Sequence, residues 1–146
     1  MSGEPPALLP PVGLPPRHEL FVFEVLGPEH NGADLAAWSS SIDHIRATPG
    51  FGRPWPERPY TTDENLADLT EHRDHHERRL DYAWTVLDPD DRSAVIGCVY
   101  LKPDPTGRSG ATGSSWVRAS HAHLDAPLVD HLAPWFASLP MGIAYR

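Results

Sequence analysis

Three groups of residues in this 146-residue chain carry side chains able to do chemistry. The run Glu71-His72-Arg73-Asp74-His75-His76-Glu77 sets His72 and His76 four positions apart. On a helix that is one turn, the spacing with which two imidazoles chelate a transition metal. The general-base glutamate of a zinc protease is not placed between them. Alternating acids and bases (Glu71, Arg73, Asp74, Glu77, Arg78, Arg79) read more simply as a solvated helix face carrying i,i+4 pairs, so no metal is expected there. The second group is Ser120, His121 and His123, whose side chains can donate to an anion, and whose imidazoles titrate near neutral pH. The simpler reading is a loop with two exposed histidines, and Asp125 beside them suits a helix N-terminus and opposes an anion. The third group is Phe51, Trp55 and Tyr60, aromatics set among prolines and glycines, which could line a pocket for a small molecule. Trp38, Trp84 and Trp135 fall on apolar patterns and read as core. Cys98, the single cysteine, sits in the apolar run Ala94 to Leu101 and reads as a buried, reduced thiol.

These groups need elements to hold them. Residues 1–17 carry six prolines and read as an extended lead-in outside the fold. Glu19 to Leu26 is rich in aromatic and β-branched residues and predicts a first strand closed by Gly27-Pro28. Leu35, Trp38, Ile42 and Ile45 recur at three and four, predicting a helix over Ala33 to Ile45. Arg46 to Tyr60 holds too many breakers for either regular structure and forms the aromatic loop. Thr61-Thr62-Asp63-Glu64 has the form of a capping box, which starts a second helix near Thr62, expected to run to Leu80. Tyr82 to Leu87, a turn at Asp88-Pro89-Asp90-Asp91 and Ala94 to Leu101 predict an antiparallel hairpin. Ala111 to Arg118 reads as a further strand, Leu128 to Leu139 as a helix, and Met141 to Tyr145 as a closing strand. The class is α+β, with helices on both faces of a mixed, mostly antiparallel sheet in the order β-α-α-β-β-β-α-β.

Bulk properties narrow the function. A hydrophobic content of 40% with 22% charged residues fits one soluble domain over 18–146, and no apolar run reaches membrane-spanning length. A net charge of −8 repels polyanions and argues against nucleic-acid binding. The first residues have no basic-then-apolar pattern, so a cytoplasmic location is expected.

The element order, the hairpin with its Ile96-Gly97-Cys98-Val99-Tyr100 segment, and Trp116-Val117-Arg118 together resemble the GNAT superfamily of N-acetyltransferases over roughly Glu19 to Tyr145. The resemblance implies a shortened GNAT-like domain without the usual C-terminal helix and strands. It implies acetyl-CoA as cofactor, with its pantetheine arm pairing along Trp116, Val117 and Arg118 as an added strand. Ser120, His121 and His123 would then face the pyrophosphate, although the family's glycine-rich turn is replaced by Arg118 to Pro127, which holds no glycine. The implied reaction is acetyl transfer to an unidentified amine, a small molecule or peptide received by Phe51, Trp55 and Tyr60. Two other readings stay open: a non-catalytic binding or interaction protein on the same fold, and a homodimer pairing through the last strand, Met141 to Tyr145.

Overall fold

The computed structural model describes residues 8–52 and 55–146. Pro5 and Pro6 of the lead-in, and Arg53 and Pro54 of the aromatic loop, lie outside the described residues. Five strands form one sheet in the spatial order β1-β2-β3-β4-β5. They are β1 (Val22–Val25), β2 (Tyr82–Asp88), β3 (Asp91–Pro103), β4 (Ala111–Val117) and β5 (Ile143–Tyr145). Pairing is antiparallel from β1 through β4, and β5 joins β4 in parallel. The α+β class and the mostly antiparallel sheet are therefore as expected.

Four helices cover the sheet: α1 (Asn31–Ser39), α2 (Ile42–Arg46) and α3 (Thr62–Glu77) on one face, α4 (Asp125–Ala137) on the other. Beneath α4 lie Phe23, Trp84, Val86, Val99, Val117, Leu128 and Leu132; beneath the other helices lie Trp38, Ile45, Leu69, Leu87, Cys98 and Trp116. The strand alternation that sends neighbouring residues to opposite faces produces this division.

Several boundaries shift by a few residues, and three differences from expectation change the packing. The single helix predicted over Ala33 to Ile45 is broken between α1 and α2, because Ser39 and Ser40 turn their hydroxyls onto the carbonyls of Leu35 and Ala36. Ser41, with φ −132°, then starts α2. The second helix stops at Glu77 instead of Leu80, since Arg79 adopts φ 59°. The lead-in is not wholly outside the fold: Leu9 is buried in the core, its amide donates to Arg79 O at 2.9 Å, and Pro10 O accepts from Tyr82 Oη at 2.7 Å.

Two elements formed for the reasons visible in the sequence. The Thr61 hydroxyl accepts from Glu64 N at 3.1 Å while Glu64 Oε1 accepts from Thr61 N at 2.9 Å, so the capping box is complete. The hairpin closes with Asp88 opposite Asp91, and a β-bulge in β3 near Ile96 brings Gly97 opposite both Val86 and Val117. A Cβ at Gly97 would lie 2.0 Å from Trp116 O, so only glycine lets β3 and β4 approach this closely.

Candidate functional site

A cavity of about 730 Å³ opens between α1, α3, the aromatic loop and the β3–β4 surface. The three aromatics expected from the sequence, Phe51, Trp55 and Tyr60, all stand on its wall. They form one aromatic cluster with buried Trp38 and Tyr100: the Trp38 ring centroid is 4.9 Å from Tyr60 and 5.2 Å from Trp55, and Phe51 is 5.9 Å from Tyr100. The loop holds this shape through Thr48 Oγ1 donating to His44 O, Phe51 N donating to Thr48 O, and Gly50 at φ 94°. The bidentate pair of Arg58 with Glu64 ties its end to the start of α3.

The polar wall comes from α1 and α3. Trp38 Nε1 donates to Asn65 Oδ1 at 3.0 Å, and Asn65 Nδ2 donates to Asp34 Oδ2 at 3.2 Å. Asp34 is only 4% exposed, and burial raises its pKa to about 6 against the pull of the Asn65 hydrogen bond. Burial likewise raises the Asp68 carboxyl and lowers the His72 imidazole, each partly offset by the other across 3.6 Å. His72 is thereby neutral at pH 7, and its ring centroid lies 6.0 Å from that of Tyr100.

Sequence reasoning missed Asp34 and Asp68, and considered His72 only as a partner of His76 for a metal. The readable signal was helical spacing: Asp34 shares a face with Ala37 and Trp38, and His72 follows Asn65 and Leu69 at seven and three. His72 and His76 do not converge, for His76 Nδ1 accepts from Ala83 N at 3.3 Å and its ring packs on Tyr82 and Trp84, whereas His72 faces the cavity. Glu71, Asp74, Glu77 and Arg78 are exposed and Arg78 pairs with Asp74 at i,i+4, whereas Arg73, Arg79, His72, His75 and His76 are partly buried.

The cavity's floor runs onto β4 through Thr112, Gly113 and Ser114. Arg118 N donates to Ile96 O on the β3 side. By alternation the peptide groups of residues 111, 113, 115 and 117 face the other side. There Ala111 N bonds Gly142 O, but the β5 pairing ends at Gly113 opposite Tyr145. Beyond it the Ser115 and Val117 amides and the Val117 carbonyl lie on the side of β4 that β5 leaves unpaired, although both residues are fully buried and this stretch is closed to solvent. Arg146 covers part of it: Nη2 donates to Ser115 O at 2.7 Å, and the guanidinium holds the Asp125 carboxylate at 2.6 and 2.8 Å. Tyr145 Oη and Ser115 Oγ are 2.6 Å apart on the α4 face.

Of the six residues expected along a cofactor, Trp116 and Val117 are fully buried, main chain included. Trp116 Nε1 is committed to Tyr100 Oη at 3.0 Å, and Arg118 Nη1 to Val95 O at 3.3 Å. Ser120, His121 and His123 lie in a 3₁₀ segment (Ala119–Leu124) leading into α4, with Ser120 Oγ 2.8 Å from His121 Nδ1 and the two imidazoles stacked at 6.2 Å. Cys98 is wholly buried and its thiol is pushed up by that burial, in keeping with an inert side chain.

No family model and no curated protein matches this chain. Solved structures do. The chain aligns with an acetyltransferase from Salmonella typhimurium that modifies the N-terminal serine of ribosomal protein L7/L12, at 10% identity and TM-score 0.61, over 86% of this chain and 68% of that one. The fold is that of the GNAT acetyltransferases. The L7/L12 α-N-protein acetyltransferase RimL in complex with coenzyme A gives 12% identity and TM-score 0.61 over 83% and 68%, respectively. A ribosomal-protein-S5-alanine acetyltransferase from Vibrio fischeri gives 12% identity and TM-score 0.61 over 83% of this chain and 64% of its own. In GNAT terms, the stretch of β4 that β5 leaves unpaired is where the sequence resemblance put the pantetheine arm.

A CoA thioester fits this chain in one part and not in the other. The β5-side groups of Ser115 and Val117 have the alternation an added strand needs, but such a strand must first displace what covers these fully buried residues, Arg146 among it. The turn that would cradle a pyrophosphate is spent internally: Ala119 N donates to Ser41 Oγ at 2.8 Å, His121 N to Arg118 O at 2.9 Å, and Asp125 N to Ala122 O.

Proposed function

We propose that this chain is an N-acyltransferase of the GNAT type, moving an acetyl group from acetyl-CoA to an amine held in the aromatic cavity. One observation supports it above the rest: the stretch of β4 that β5 leaves unpaired and the wall of the cavity meet at Gly113 and Ser114. A strand-like acyl donor and an amine in the cavity would therefore be neighbours, and proximity of this kind is the main contribution such a fold makes. CoA, when bound, supplies an activated thioester. The chain supplies the Val117 N–H, on the side of β4 that β5 leaves unpaired, as a donor to a carbonyl oxygen once the cover over this buried residue opens. His72, neutral and facing the cavity beside Tyr100, takes a proton from the acceptor ammonium so that the free amine can attack, and the amine's second proton would leave with the CoA thiol. Phe51, Trp55 and Tyr60 enclose the acceptor and exclude water. Ser120, His121 and His123 contact the cofactor's phosphates from the surface of the 3₁₀ segment, in place of the glycine-rich turn.

The test is release of free CoA thiol from acetyl-CoA on addition of primary amines. The reading requires amine-dependent release in the wild type that falls about a hundredfold in His72→Gln, within the usual contribution of a general base. Release that is absent with every amine, or unchanged in that variant, contradicts the reading or its assignment of His72.

A further inference from the structure

The acids around the cavity say more about the acceptor than that it is an amine. Asp34, Asp68, Glu71, Asp81 and Asp104 all reach its wall, with Lys102 as the lysine beside them. Asp104 is consumed by its own loop, accepting from Thr106 and Ser109. The other four are not placed for folding alone. Asp34, nearly fully buried, has no basic side chain within ion-pair distance among the described residues; its donor is the neutral amide of Asn65, shared with Asn31 Oδ1 at 2.8 Å. A buried carboxylate without a cation is costly and is kept where a ligand supplies the cation. Among the described residues Asp68 has the neutral His72 at 3.6 Å, and the more distant Lys102 also favours its charged form. Glu71 and Asp81 share one imidazole, His75, at 3.4 and 3.2 Å, and Asp81 Oδ1 is buried with no hydrogen-bond partner.

The opposite wall is aromatic, and it already holds an alkylammonium. Lys102 Nζ sits 5.4 Å from the centroid of the Tyr100 ring. This is the cation–π arrangement that primary ammonium groups adopt on tyrosine and tryptophan faces. Trp55 and Tyr60 extend the same surface along the cavity.

The carboxylates are also spread out. Along α3, Glu71 lies about 4.5 Å from Asp68 and His75, which Asp81 contacts at 3.2 Å, about 10 Å from it, at ~1.5 Å per residue. Asp34 and Asp68 stand near one end of that line, Asp81 at the other, and Glu71 between them. We propose that the cavity takes a linear amine with two or more ammonium groups, a diamine or polyamine, one end between Asp34 and Asp68, the other against Asp81, and Glu71 along its length. As an acceptor assignment it rests on the acyltransferase reading above; as a binding property it does not.

The experiment titrates the protein, without CoA, with spermidine, 1-butylamine and 1,6-hexanediol, following heat and the fluorescence of Trp38 and Trp55. Spermidine is expected to saturate at least about tenfold more tightly than butylamine, the diol not at all, since a second charge paired in a partly desolvated site adds roughly 1.4 kcal/mol, or tenfold. Asp68→Asn and, separately, the exposed Glu71→Gln should each erase most of that preference; melting curves verify that both variants fold. Equal affinities for spermidine and butylamine, no saturation by spermidine, or a preference untouched in both variants overturns the proposal. Spermidine binding in a protein that ignores acetyl-CoA would sink the acyltransferase reading and leave the site standing. Acetylation of butylamine as efficiently as spermidine would do the reverse.

Discussion

Replacing Asp34 by asparagine should make this protein more stable at neutral pH and worse at holding an amine. Asp34 is 4% exposed and its folded pKa of about 6 stands above the ordinary 3.8, first through burial and then through Asp68, with Asn65 and His30 pulling the other way. Between those two values the native state keeps a proton that the unfolded chain has released. Stability therefore falls as pH rises through this window, and the loss is complete above about pH 6. At about 1.4 kcal/mol per unit, roughly two units set a ceiling of about 3 kcal/mol on what the ionised carboxylate costs the fold at pH 7. Asparagine keeps an oxygen for the Asn65 Nδ2 donor and carries no charge to bury. Urea unfolding of both proteins from pH 4 to pH 8 measures the effect. Asp34→Asn should exceed the wild type by about 1–3 kcal/mol at pH 7, with the difference closing towards pH 4. A wild type as stable as the variant at pH 7, or a difference that does not change with pH, would refute the view that Asp34 is kept for binding at the fold's expense.

Removing Arg146 with Arg146→Ala frees Ser115 O and the β4 edge; acetyl-CoA should bind about fivefold tighter, the equivalent of one hydrogen bond of about 1 kcal/mol, as calorimetry can read. Gly97→Ala puts a methyl 2.0 Å from a backbone oxygen, and a loss of about 1–3 kcal/mol or more in thermal unfolding is expected from the forced separation of β3 and β4. Trp55→Ala should raise the KM for the amine with little change in kcat, because the ring encloses the acceptor without touching the reacting bond.

What the sequence disclosed was local chemistry. The Thr61–Glu64 box, the hairpin around Pro89-Asp90 and the aromatic loop could be read because propensity, turn residues and pattern agreed within a few positions. The break at Ser40 was hidden because the apolar spacing of Trp38, Ile42 and Ile45 continues through it while serine hydroxyls compete for the backbone. The polar half of the cavity was hidden for a different reason. Asp34 and Asp68 lie on separate helices 34 positions apart, and nothing in either segment says that Asn65 will bridge towards both Trp38 and Asp34. Arg146 reaching Asp125 and Ser115 is equally a product of the parallel β4–β5 pairing and cannot be inferred from any one stretch.

The account stands on the stretch of β4 that β5 leaves unpaired. Its most direct test is calorimetric titration of acetyl-CoA into the wild type and into Val117→Pro, which removes the amide on that side while leaving the β3 ladder of Trp116 and Arg118 in place. The wild type should bind saturably, and the variant, folded by circular dichroism, should bind about tenfold more weakly, the loss of one donor to the arm. Absence of saturable binding in the wild type, or equal binding by both proteins, would contradict it.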